Sequence, residues 1–413
     1  TPSRRQNVGI GPRKRRATAM AKPTDAGSGD LFPRWVLVDG QAGATADPME
    51  RSIEVEGGNF YFAWETLGDG KRRGVQQLRV GHGQWEATIL ATRGMSLWRC
   101  QSGTTPLGWT SPVKGPVHPQ WVPVHDPSGL GWLEGFDELV VRCGLESNGA
   151  PEHDSNGRLL YPLHGRIGNL PAHHLEVLID RQKGVLEVVG AVDEVRFLIQ
   201  GLRLEVRYRF EIGRKGVSCV DRVVNLKSTP ATMQLLYHIN LGTPLLGEGS
   251  TLHASFDRLV PRNERAAEGV SDWNRYEGPT AGFAEQVYLM KVRADDQGWS
   301  TAMLVDPKGE KGVAIGFHTR TLPFLNLWKN TGALEDGYVT GIEPATGFPN
   351  PRGFEQQQGR LVVLEPGEAR DFQWSLDLIE GAARVEELKQ QISSETISPS
   401  VVESSVDRCW ASL

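Results

Sequence analysis

The chain has 413 residues, 39% of them hydrophobic, and a net charge of −5 with histidine neutral. That length suits one large domain or two smaller ones, and the nearly balanced charge argues against a globally basic nucleic-acid binder. No apolar run approaches the roughly 18 residues of a membrane span. Cys100, Cys143, Cys219 and Cys409 form no CxxC pair, so neither a disulfide framework nor a zinc ribbon is expected, and a reducing, cytoplasmic setting is.

Residues 1–30 carry six Lys/Arg and no acid before Met20, then a Pro/Gly/Ser/Ala stretch. They read as a disordered basic tail, with Met20 a candidate start. The basic stretch lacks the apolar region of a secretory signal.

From about residue 31 strand signals dominate, and residues 31–395 read as one domain. The clearest strand is LRLEVRYRFEIG, 202–213. Leu202, Leu204, Val206, Tyr208, Phe210 and Ile212 alternate with Arg203, Glu205, Arg207, Arg209 and Glu211. Period two with one apolar face predicts a half-buried antiparallel strand, its arginines paired with acids on neighbouring strands. Similar runs cover 175–180, 185–192, 217–226, 287–292, 301–306 and 312–317. A hairpin is expected over 360–378, turning at Pro366-Gly367. Only 383–395 reads as a clear helix, with Val385, Leu388 and Ile392 on one stripe. Residues 396–413 read as a tail. Many strands and almost no helical pattern predict an all-β, antiparallel sandwich.

Residues 103–174 break the pattern. They are rich in Pro, Gly, Trp and His and hold six of the ten histidines. Long irregular segments of this composition suit binding loops. His118, His125, His153, His173 and His174 crowd this region, but without HExxH or another compact ligand spacing no metal is expected. No GxGxxG follows a strand, no Walker-type loop occurs, and there is no GxSxG, so nucleotide and serine-hydrolase chemistry find no support.

Three short stretches carry candidate chemistry. YPLHGRIGN, 161–169, places His164 before a glycine that permits a sharp turn. In MQLLYHINLG, 233–242, period two gives a core face of Met233, Leu235, Tyr237, Ile239 and Leu241. The other face carries Gln234, Leu236, His238 and Asn240. His238 is there either as a hydrogen-bonded core residue or as a proton carrier. GYVTGIEPATGFPNPRGFE, 337–355, sets Glu343 at a strand end before a rigid loop. Two imidazoles and a carboxylate from distant segments can move protons between oxygens near neutral pH.

These stretches, with RGMSLWRC, CGLESNGAP, LHGRIGNLPA, YHINLG, LPFLNLWKN and GIEPATG in that order, resemble the aldose 1-epimerase (galactose mutarotase-like) superfamily. The likeness is to its branch catalogued as a domain of unknown function and spans roughly residues 55–380. The resemblance implies a β-supersandwich that binds a small carbohydrate, needs no cofactor or metal, and interconverts sugar anomers. Carried over, Glu343 is the general base, His238 the general acid, and His164 a stabiliser of developing charge. Arg166 stands where the family often has a second glycine, and it points, with Arg93 and Lys329, to an acidic or modified sugar. Asn240, Trp328 and Glu285 complete the expected substrate contacts. Two other readings stay open: a lyase or isomerase on the same scaffold, and a sugar-binding module without turnover. Nucleic-acid and membrane partners are not expected, and the sequence does not fix the oligomeric state.

Overall fold

The computed structural model describes residues 30–394 and 399–412, so the expected basic tail lies, except for Asp30, outside the described residues. Two large sheets pack face to face. The first runs, strand by neighbouring strand, through Thr251–Ala254, Trp299–Val305, Lys311–His318, Ala369–Glu380, Gly216–Asn225, Gln200–Glu211, Val185–Arg196, His174–Asp180, Arg34–Asp39 and Ala44–Thr45. The second holds the site. Its central strands are β1 (Val140–Leu145), β2 (Ala231–Leu241), β3 (Phe256–Pro261), β4 (Gln286–Val292), β5 (Phe324–Asn330) and β6 (Val339–Ala345). They lie in the order β3-β4-β5-β6-β2-β1, and the sheet continues through Ser96–Ser102, Trp85–Leu90, Gln76–His82, Gly58–Thr66 and Met49–Val55. Among the described residues no helix is long and apolar enough to cross a membrane.

The periodicity places the faces. Leu202, Leu204, Val206, Tyr208 and Phe210 are buried in the core between the sheets. On the outer face Arg203 forks onto Asp193 directly across the ladder (2.7 and 2.9 Å), and Arg209 meets Glu187. On β2, Met233, Leu235, Tyr237, Ile239 and Leu241 enter the same core, which turns His238 and Asn240 to the other side of the sheet. Leu236 on that side joins a second, smaller cluster with Trp132, Phe136, Val141, Cys143 and Ala345.

One fully buried ion pair ties the sheets together. Arg142 of β1 forks onto Asp221 of Gly216–Asn225 (2.5 and 2.9 Å), and Tyr237 donates to the same carboxylate at 2.8 Å. With its hydrogen bonds satisfied such a pair holds. Removing one partner would cost about 3–5 kcal/mol, because the other charge is left buried alone.

Two expectations are corrected. Residues 360–378 do not form a hairpin. Val362–Leu364 pairs with Ala231–Met233 of β2, whereas Ala369–Glu380 pairs in the other sheet, so Pro366-Gly367 is a corner where the chain changes sheets. Residues 399–412 are not a free tail. Val401–Val402 adds to β3, Arg258 grips Glu403 and Asp407, and Trp410 stacks on Phe348 at 4.8 Å. The helix forms over Ala382–Ser394 as expected, with Val385 and Ile392 packed against Met303, Val305 and Ala314.

Candidate active site

Ladder register brings His238 and Glu343 together. The pairs Leu236–Ala345 and Ile239–Ile342 bracket them on β2 and β6, and Asn326 of β5 sits opposite Glu343 on the far side. Paired residues of neighbouring strands share a face. Nε2 of His238 lies 3.1 Å from Oε1 of Glu343, with the two side chains 5% and 3% exposed. Gly341 makes room for them. A Cβ there would stand 2.6 Å from Glu343 Oε1 and 3.0 Å from His238 Cε1.

Hydrogen bonds fix the imidazole tautomers. The side-chain amide nitrogen of Asn240 donates to the carbonyls of Glu138 (3.0 Å) and His238 (3.1 Å). Its Oδ1 is therefore the acceptor for Nδ1–H of His238, at 2.6 Å. Nε2 is left as the basic nitrogen, facing Glu343. His164 likewise donates from Nδ1 to the Asn148 carbonyl at 2.9 Å, which frees its own Nε2. The His-Gly sequence is needed for this placement. His164 takes φ 57° and Gly165 φ 70°, and a Cβ on Gly165 would run into the carbonyl oxygens of Ser147 and Gly144 at 2.2 and 2.4 Å. The two imidazole rings stand 5.3 Å apart.

Burial sets the charges. Desolvation raises the Glu343 carboxyl to about 8, against a smaller opposite pull from Arg262. Desolvation, with His164 nearby, lowers His238 to about 3, and desolvation lowers His164 to about 4. Both shifts favour the uncharged forms, a carboxylic acid against a neutral imidazole across the 3.1 Å contact. That contact holds one transferable proton.

A cavity of about 500 Å³ opens onto this pair, within the usual range for small-ligand pockets. Trp109, Trp132, Phe136 and Trp328 wall it, with the Phe136 and Trp328 rings 5.1 and 5.4 Å from the His238 ring. Glu285 lies at the mouth and accepts from the Trp328 indole N–H at 2.6 Å. Of the nine residues expected to form the site, five line this cavity: Glu343, His238, His164, Trp328 and Glu285.

The other four lie elsewhere. Arg93, 1% exposed, is spent on Glu138 (2.6 Å), Asn169 (2.8 Å) and the carbonyls of Val117 and Gly135 (both 2.9 Å), so it braces loops and reaches no ligand. Arg166 turns away behind Gly165. It lies 3.6 Å from Glu194 and 3.8 Å from Glu146, in a separate depression with His125 and Asn169. Lys329 follows cavity-facing Trp328 on a strand, so it points to the opposite face. There it donates to the carbonyls of Asp272 (3.1 Å) and Arg275 (2.6 Å). Asn240 stands behind His238 and orients it. Of the histidines of residues 103–174, only His164 lines the cavity. Among the described residues no group of three His, Cys, Asp or Glu is placed to hold a metal ion.

Arg262, Trp132, Phe136 and Asp336 also line the cavity, and no motif in the sequence singles them out. Trp132 and Phe136 belong to GLGWLEGF, whose apolar content inside an irregular segment was the available signal. Arg262 sits one residue past β3, where the only cue is a strand ending at Pro261.

The two packed sheets have the aldose 1-epimerase, or galactose mutarotase-like, class of fold. Within it the chain belongs to the family of the domain of unknown function DUF4432, whose model matches residues 72–378. It is similar to a crystal structure from Klebsiella pneumoniae described as a "putative aldose 1-epimerase", with 34% identity, a TM-score of 0.88, and coverage of 91% of this chain and 98% of that one. A galactose mutarotase-like protein from Clostridium acetobutylicum shares the fold at 15% identity and a TM-score of 0.53, over 77% of this chain and 98% of its own. No curated protein matches.

Proposed function

We propose that the chain is an aldose 1-epimerase-type isomerase that interconverts the anomers of a small sugar. The observation that carries this is the buried His238–Glu343 contact, two proton-carrying groups 3.1 Å apart, on an aromatic-walled cavity. Aromatic walls with a few convergent polar groups suit a flat, polyhydroxylated ring.

The reaction follows from the proton that this contact holds. On substrate entry the Glu343 proton passes to His238 Nε2, leaving a carboxylate and an imidazolium. Glu343 then takes the proton of the anomeric hydroxyl while His238 gives its proton to the ring oxygen. The bond from C1 to the ring oxygen breaks, giving the open-chain aldehyde. Ring opening thus returns Glu343 and His238 to their resting protonation. Rotation about C1–C2 and the reverse steps yield the other anomer. His164 Nε2 accepts a hydroxyl hydrogen bond and holds the sugar in register. Three of the four cysteines are buried thiols and Cys409 is exposed, and all four are free, which fits the reducing cytoplasm we propose as the setting.

Saturation-transfer NMR of anomer exchange, run on a panel of sugars, tests this. Exchange faster than buffer for at least one sugar, lost in Glu343→Gln, is expected. Exchange that survives in the variant would remove Glu343 from the mechanism, and no acceleration of any sugar would sink the isomerase reading.

A further inference from the structure

Among the described residues Arg262 is the only Arg or Lys that lines the cavity. Its backbone is fixed on both sides. Its N–H donates to the Val287 carbonyl at 2.9 Å, and Asn263 caps the short helix Glu264–Glu268 by accepting from the Ala266 N–H at 2.9 Å. Its half-buried side chain makes no hydrogen bond or ion pair with the described residues. The contrast with Arg93, whose guanidinium is spent on four neighbours, is direct. Leaving a partly buried guanidinium without partners is unfavourable, so a fixed one facing a cavity is poised for a ligand.

We propose that Arg262 receives a carboxylate of the substrate, so that the ligand preferred by this cavity is a sugar acid carrying one carboxylate beside its ring. This rests on the isomerase reading for the reaction, though not for the binding. Charge counting favours a monoanion. The one guanidinium shares the cavity with the carboxylates of Glu285 and Asp336, one positive charge against two negative, so a phosphate dianion would meet about twice the net repulsion that a carboxylate does. A planar carboxylate also matches the guanidinium fork in two parallel hydrogen bonds. Position agrees. The Arg262 charge reaches both His164 and Glu343, lowering each. In a hexuronate ring the carboxylate is attached to the carbon that bears the ring oxygen. The ring oxygen is served by His238, which stands 3.1 Å from Glu343 and has its ring 5.3 Å from that of His164, the two groups Arg262 reaches.

The test compares wild type with Arg262→Gln on glucuronate, galacturonate, glucose, galactose and glucose 6-phosphate, reading anomer exchange and, separately, binding by saturation-difference NMR. Expected is faster exchange of at least one uronate than of the neutral sugars, and a fall of at least tenfold in that preference in the variant. Arg262→Lys keeps the charge without the fork and is expected to lose less of the preference. It also serves as the readout if Arg262→Gln does not fold. Uronate binding that weakens tenfold in the variant, with no sugar turned over by wild type, would retain the role of Arg262 and discard the isomerase reading. A preference for neutral or phosphorylated sugars, an unchanged preference in folded variants, or no uronate binding at all overturns the proposal.

Discussion

At the scale of the residue, the decisive groups are neutral because they are buried. Glu343 keeps its proton up to about pH 8, and His164 does not gain one until about pH 4. Turnover is therefore expected to hold across the neutral range and to fall above about pH 8, where the pair loses the proton it needs. A pH–rate profile of anomer exchange checks this, and a falling limb well below neutrality would contradict it. The same burial has a stability consequence. A carboxyl whose folded pKa lies above its unfolded value stabilises only below the unfolded value, and that contribution is lost as pH rises towards about 8. Glu343→Gln removes the ionisation and is expected to gain on the order of 1–3 kcal/mol near neutral pH while turnover is lost. Denaturant titrations at several pH values measure the gain. His164, His238 and Glu343 were legible in the sequence because each stands in a short distinctive token. Arg93, Arg166 and Lys329 misled because charge in such a token says nothing of direction. Trp328 and Lys329 are adjacent on a strand, so only one of them can face the cavity.

Elements decide how precisely the pair is held. β2 and β6 set the pairing, and Gly341 leaves the space beside it. Its φ is not in the left-handed region, so alanine there brings crowding without backbone strain. Gly341→Ala is expected to lower turnover roughly ten- to a hundredfold, the effect of a small misplacement of reacting groups, with little change in melting temperature. Anomer exchange and a thermal melt on the same sample separate the two. Strands with one charged face, such as Gln200–Glu211, were plain in the sequence because alternation marks them. β1 was not. Its six residues, VVRCGL, are all buried, so period two vanishes, and it lies inside a segment otherwise built of loops, single helical turns and strands of two or three residues. The same holds at Pro366-Gly367, where the turn residues were read correctly. A corner between sheets and a hairpin use the same turn chemistry, and only long-range pairing tells them apart.

Over the whole molecule, sheet-on-sheet packing places the site on the outer face of the second sheet, opposite the buried Arg142–Asp221 pair. Local pattern conveyed the two-sheet class well. It did not convey that the chain after the helix returns to the body, because Val401–Val402 and Trp410 are too few to signal a strand or a core. The closed proton count of the site has a further consequence at this scale. In the proposed reaction binding moves a proton between Glu343 and His238, and none has to come from or go to solvent. Calorimetric heats of ligand binding near neutral pH are therefore expected to be the same in phosphate and in Tris, whose ionisation enthalpies differ widely. A heat that tracks the buffer would mean that the resting pair holds one proton too many or too few.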